Sequence, residues 1–365
     1  MKIVDVTTTR LFYPHTRPTQ NLTSPAAMGG RGQLFVHIKT DEGIEGLGVG
    51  ISAPGVDQIV ENGFRDLLVD SDPFEIERLW RDMFWRGRQF GGEGIAAYAL
   101  SAVDIGLWDL KAKALGLPLY RLLGTYTEAV PMYGSGGWVN LSMDELLADV
   151  AAFLDQGIRR VKIRVARDRG SFEREDIERV AAVRRAVGDD VALYLDANNG
   201  YYPKQAIYMA KEFAQYGVGF FEEPVMAQDV RGLAQIRDAI DIPLATGEQE
   251  YSKIGFRELI SAGAVDIVQP DVATVGGITE WLKVAHMAEA FNLPVAPHLV
   301  QLVHLHLACA TPNLKVVEYM SVAEQADREW YAEIPQHKDG MLSPFADKPG
   351  LGLELDPYAV EKWAV

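Results

Sequence analysis

The feature that most constrains this chain is an alternation. From about Pro131 onward, short segments of strand composition take turns with amphipathic helical patterns. The strands fall near Pro131 to Tyr133, Arg160 to Val165, Val191 to Asp196, Gly219 to Glu223, Pro243 to Glu248, Val265 to Asp271, Pro294 to His298 and Lys315 to Tyr319. That order produces a parallel sheet with right-handed crossovers, and eight such strands imply a closed barrel. Helix-start chemistry agrees with it: Ser142 stands three residues before Glu145 as in a capping box, and Pro203 sits at a first-turn position.

The part before the alternation reads as a small α+β unit of about residues 1 to 125. Ile3 to Tyr13, Gln33 to Thr40 and Ile44 to Gly50 have strand composition, with Asp41-Glu42-Gly43 as a turn signal between the last two. Helical patterns cover Gly55 to Asp70, Phe74 to Arg88 and Glu93 to Leu115. Pro14 to Gly32, rich in Pro, Gly, Ser, Thr and Asn, is expected to be a loop long enough to act as a lid. The barrel spans about 126 to 320, and the tail, 321 to 365, is expected to return to the first unit.

Composition closes off several function classes. The net charge of −16 repels nucleic acid and anionic lipid surfaces, so neither is an expected partner. Lys2 to Tyr13 alternates like a strand and lacks the apolar run of a signal peptide, and no segment approaches the roughly 20 apolar residues that span a bilayer. The single cysteine, Cys309, lies in an apolar stretch and reads as packing; a cytoplasmic location is the expectation.

The polar residues on or just past the strands carry the chemistry. Asp196, Glu222 and Glu248 are 26 residues apart in each step, the differences of their positions, so three carboxylates stand on three successive strands. Barrel strand ends converge on one mouth, and neighbouring carboxylates there repel unless a cation binds between them. Three hard oxygen ligands suit an octahedral Mg²⁺. Asp271 and His298 end the next two strands; a carboxylate bonded to one imidazole nitrogen would leave the other to take a substrate proton. Lys162 and Arg164 share one strand face, where they either pair with the acidic cluster or hold a substrate carboxylate, with Lys162 a further candidate base. Glu318 is either a neutral hydrogen-bond donor, if its pKa is raised, or a salt-bridge partner. His304 and His306 alternate within an apolar stretch and read as core residues.

Taken with their spacing, these residues resemble the mandelate racemase branch of the enolase superfamily over essentially the whole length. Asp196-Ala197-Asn198, Glu222-Glu223-Pro224 and Gly247-Glu248 match its three metal ligands, Asp271 and His298 its His-Asp dyad, Lys162-Ile163-Arg164 its Lys-x-Lys segment, and Glu318 its electrophilic acid. The resemblance implies a modified TIM barrel, (β/α)₇β, with an N-terminal α+β capping domain whose loops, Pro14 to Gly32 and Ile51 to Gly55, close over the mouth. It also implies Mg²⁺, a small carboxylate substrate and a homo-oligomer, dimer or octamer. Arg17, Arg31, Thr19, Asn21, Asn198, Tyr133 and Trp138 are candidate substrate contacts. One departure matters: Arg164 stands where the family's racemases have a second base. A guanidinium stays protonated, so the implied chemistry is dehydration of a sugar acid to a 2-keto-3-deoxy acid. Racemisation or epimerisation is the alternative, and a catalytically silent binding homologue is the alternative of another class.

Overall fold

In the computed structural model the described backbone comprises residues 1–19 and 28–365, with side chains described for 1–15 and 29–365. The barrel strands are β4 (Val130–Ser135), β5 (Arg160–Arg164), β6 (Ala192–Asp196), β7 (Val218–Glu222), β8 (Leu244–Thr246), β9 (Ile267–Val268) and β10 (Val317–Met320). They are short because helices cover the outside and side chains fill the inside. Tyr133, Tyr194, Phe220, Ala245, Ile267, Ala296 and Val316 form the inner layer. Val161, Ile163, Leu195, Phe221 and Val268 face outward into the main core. Burial on both faces is the mark of a parallel sheet wrapped by helices.

The sheet runs β10-β4-β5-β6-β7-β8-β9. The expected strand Pro294 to His298 is reduced to bridges from Val295 to Val268 on one side and to Leu314 on the other. Pro294 and Pro297 flank it and have no N–H for a ladder, which limits its regular pairing. Those two bridges still close the ring as an eighth strand position, and the strand order around the mouth follows the sequence.

The N-terminal unit contains an antiparallel sheet of β1 (Ile3–Thr19), β2 (Met28–Thr40) and β3 (Glu45–Ile51). Here the expected loop Pro14 to Gly32 is corrected. Much of it is strand, with Tyr13 opposite Arg31, Pro14 opposite Gly30 and Thr19 opposite Met28. Gly30 makes this possible, because a Cβ there would collide with the Phe12 ring and the Tyr13 carbonyl. Pro14 is tolerated because β1 is an edge strand. The expected helix Gly55 to Asp70 is also broken, into helical turns Val56–Gln58 and Arg65–Leu68 around a π-helical stretch Ile59–Phe64.

Helix Ile95–Ala114 crosses β3 at close range, since side chains at Gly46 and Gly48 would run into the carbonyls of Gly106 and Ala102. Its other face grips the barrel. Asp104 accepts hydrogen bonds from Thr279 N and Oγ1 at 2.9 and 2.6 Å, and Ser101 Oγ accepts from Gly276 N at 3.0 Å. Trp80 donates to the Gly276 carbonyl at 2.7 Å. The segment so fixed follows Asp271. The C-terminal stretch adds β11 (Met341–Leu342), antiparallel to β4, and the Val365 amide reaches the Arg10 carbonyl in β1 at 3.1 Å.

Candidate active site

Around the mouth the strand ends are backbone-strained in a way composition does not reveal. Asn198, Asn199 and Glu223, just past β6 and β7, have φ of 41°, 65° and 41°, and Leu299 and Val300, after the reduced strand, have 47° and 38°. Non-glycine residues adopt such angles where the surroundings impose them, and they gather at functional sites.

One half of the mouth is ionic and almost fully buried. Lys162 Nζ lies 2.7 Å from Glu222 Oε1, 3.0 Å from Glu318 Oε1 and 3.6 Å from Asp196 Oδ2. Burial alone would strip the Lys162 proton, but Glu222 and Glu318 outweigh it and hold the side chain as an ammonium. It is therefore an internal counter-ion in this arrangement, which does not suit the alternative of Lys162 as a base. Burial also works to raise Glu318, yet Lys162, His298 and Arg164 prevail and hold it below the ordinary carboxylate range. Of the two readings of Glu318, this arrangement shows the salt bridge, with Lys162 against Oε1. Its second oxygen, Oε2, accepts the Leu299 N–H at 2.8 Å.

Arg164 is held as rigidly. Its guanidinium stacks 4.2 Å over the Trp138 ring and donates through Nη1 to Ser135 Oγ at 3.0 Å and to the Gly136 carbonyl at 2.8 Å. Nε lies 3.8 Å from Asp196 Oδ2 and has no hydrogen-bond partner among the described residues. Asn198 ties to the same carboxylate, through its backbone N–H at 2.8 Å and its Nδ2 at 3.1 Å, so it orients Asp196.

Burial and the neighbouring carboxylates push Glu222 up to about 8 even with Lys162 beside it, and raise Glu248 as well. This is more negative charge than one ammonium balances. Glu222 Oε2 is buried without a partner among the described residues. No three described His, Cys, Asp or Glu side chains converge tightly enough here to hold an ion, because Lys162 draws two carboxylates onto itself. The donor set nevertheless fits a hard divalent cation: carboxylate oxygens on adjacent strands, one of them orphaned, in an excess of negative charge.

The other half is more open. His298 Nδ1 bonds Asp271 Oδ2 at 2.8 Å, and Nε2 faces Glu248 Oε2 at 3.4 Å. The imidazole keeps 19% exposure. Burial works to lower its pKa, but Glu248, Asp271 and Glu318 together raise it to about 10. A residue read as simple core supports this pair. His304 Nε2 accepts the Val272 N–H at 3.1 Å, so Nδ1 carries the proton donated to the Leu299 carbonyl at 2.6 Å. This one buried side chain ties the residue after Asp271 to the residue after His298. Its spacing in the apolar run Gln301–Cys309 gave no sign of that.

A cavity of about 580 Å³ opens on the dyad side. Glu248, Asp271 and His298 reach its wall, together with Gln249, Thr274, Tyr251 and Gln228 from the barrel and Tyr98, Arg31 and His15 from the N-terminal unit. Arg31 is held from behind by Gln33 at 2.9 Å and Asp327 at 3.4 Å. Neither ring nitrogen of His15 has a partner among the described residues. The contributions of His15, Tyr98, Gln228, Gln249, Tyr251 and Thr274 were not foreseen, since ordinary polar loop residues carry no spacing signal. Tyr133 lies in the inner layer, its ring 5.3 Å from Lys162 Nζ, and is not one of the residues lining this cavity. The side chains of Arg17, Thr19 and Asn21 fall outside the described residues.

A capped parallel barrel with three strand-end carboxylates, a lysine among them and a His-Asp pair facing an open cavity defines a barrel enzyme whose site lies at the strand ends. The chain belongs to the mandelate racemase and muconate lactonizing enzyme group of the enolase superfamily. The group's N-terminal domain model matches residues 6–124, and the enolase C-terminal domain-like model matches residues 145–359. The chain is 35% identical over 338 residues to an L-talarate/galactarate dehydratase of Salmonella typhimurium, covering 90% of this chain and 82% of that protein. The structure of the Salmonella enzyme liganded with Mg and L-lyxarohydroxamate superposes with a TM-score of 0.91 at 32% identity, over 100% of this chain and 93% of that one. A racemase from Streptomyces coelicolor with bound magnesium superposes at 0.94 with 32% identity, over the whole of both chains.

Proposed function

We propose that this protein is a Mg²⁺-dependent dehydratase that converts a sugar acid, an aldonate or aldarate, to a 2-keto-3-deoxy acid. The observation that carries this reading is the pairing of a dyad base, His298 on Asp271, with a cation, Arg164, locked by Trp138, Ser135 and Gly136 at the position of the second base. One base and no second one suits elimination rather than inversion.

Asp196, Glu222 and Glu248 are the residues that would hold the magnesium. When bound, it supplies positive charge that makes the substrate's alpha proton acidic. Lys162 and Arg164 present fixed cationic donors to the substrate carboxylate and to the negative charge that grows on it. His298 Nε2 takes the alpha proton, and Asp271 steadies the imidazolium through Nδ1. The electron pair left on the alpha carbon then forms the carbon–carbon double bond as the beta-hydroxyl leaves, and the proton on His298 completes water. The resulting enol becomes the 2-keto acid by taking a proton at the beta carbon and losing one from its alpha hydroxyl.

The test is a screen of the purified protein with Mg²⁺ against mono- and diacid sugars, reading 2-keto product, with EDTA and His298→Asn as controls. The expected outcome is product with at least one acid, absent with EDTA and reduced about 10²- to 10⁴-fold in the variant, the usual worth of a positioned base. Deuterium entering at the alpha carbon without water loss would overturn dehydration in favour of epimerisation.

A further inference from the structure

Gln269 stands immediately before Pro270 and Asp271, and none of the groups described above uses it. Ile267, two residues earlier, packs in the inner layer of the barrel, whereas Val268 packs outward. Period-two alternation therefore turns the Gln269 side chain inward. It is 1% exposed, the depth of Lys162 and Glu318. Its backbone is well fixed, with the N–H on the Thr246 carbonyl at 3.0 Å. Yet neither Oε1 nor Nε2 has a hydrogen-bond partner among the described residues. Native interiors seldom leave both ends of a carboxamide unpaired, and exceptions gather where something binds.

The strand order says what could complete it. Around the closed ring, β5 and the strand end after β9 stand four positions apart out of eight, so Arg164 and Gln269 face each other across the mouth. The other orphaned atoms in the barrel interior, on Glu222, Asn198, Glu318 and Tyr133, are oxygens, and only Arg164 Nε and Gln269 Nε2 among the described residues there are N–H donors without acceptors. Two unpaired donors on opposite walls of the mouth suit an oxygen-rich anion held between them. We propose that Gln269 is a substrate-binding residue that donates its Nε2–H to an oxygen of the bound acid's carboxylate group, opposite Arg164. This rests on reading the barrel mouth as a carboxylate-binding site.

The test uses isothermal titration of wild type, Gln269→Leu and the near-isosteric Gln269→Met, first with Mg²⁺ alone and then with L-lyxarohydroxamate and acetohydroxamate in saturating Mg²⁺. Thermal melts of the ligand-free proteins are recorded in parallel. The expected result is Mg²⁺ affinity within about twofold of wild type, hydroxamate affinity about 10- to 100-fold weaker, and a melting temperature no lower than wild type, since an unpaired buried amide has been removed. Equal weakening of Mg²⁺ binding would overturn the proposal and assign the amide to the water around the ion. Unchanged hydroxamate affinity in both variants would overturn it too, leaving an amide that serves only the protein interior. Wild type that binds Mg²⁺ but neither hydroxamate would overturn the carboxylate-site reading itself, and this proposal with it.

Discussion

The two halves of the mouth are held together by different physics. On the side formed by β5 to β7 and β10, Lys162, Asp196, Glu222 and Glu318 are buried charges whose positions are set by one another. On the other side, Asp271 and His298 are oriented by backbone that a neutral residue, His304, pins at two points. The ionic half is therefore vulnerable above all to loss of its one ammonium, on which three buried carboxylates converge. The dyad half is vulnerable in geometry and can lose function with little loss of stability.

The sharpest way to break this contrast is Lys162→Met. It keeps the volume but removes the one ammonium that three buried carboxylates share, so unfolding free energy in urea at pH 7.5 should fall by about 3–5 kcal/mol, the cost of an uncompensated buried charge. Added Mg²⁺ should restore part of it, and a variant as stable as wild type would show that the cage is not held by Lys162.

His304→Gln should act on the other half. With the two dyad loops no longer joined through one imidazole, kcat on the substrate found in the screen should fall about 10- to 100-fold, the usual effect of a residue that orients a catalytic group. Mg²⁺ affinity should stay within about twofold, because His304 touches none of the proposed metal ligands. Parallel loss of Mg²⁺ binding would erase the distinction between the halves.

The smallest effect is in the pH profile. Burial pulls His304 and His306 down to about 4 each, below the ordinary value of about 6.5. A depressed pKa means the unfolded chain binds more protons, so this stability is complete above about pH 6.5 and drains away as pH falls toward 4. The His304→Gln variant should lose about one proton from that slope in urea titrations between pH 6.5 and 4, with His306 keeping the rest. An unchanged slope would mean that His304 is not held neutral by its two backbone contacts.

Much of the fold was legible because two periodicities, strand and helix, repeat in order along the chain. The carboxylate spacing follows from the same repeat, since one strand-helix unit separates each acid from the next. Where the sequence misled, local chemistry was overruled by neighbours distant in the chain. Pro14 to Gly32 has loop composition, but glycines let β1 and β2 close on each other. Pro294 and Pro297 sit in a run of strand composition that pairs at little more than Val295. Glu318 was legible as a site carboxylate, but which of its two readings holds was not, because its partner is a lysine 156 positions earlier in the chain, at 162.

By itself the sequence determined the barrel, the order of its strands and which acids and bases stand at their ends, because strand register and side-chain alternation are local properties that repeat. Only the tertiary structure decided how those groups are charged, which backbone His304 fastens, and that Gln269 stands unpaired across from Arg164. Each of these depends on distance and burial between segments far apart in the chain, and the pattern of residues along one strand contains neither.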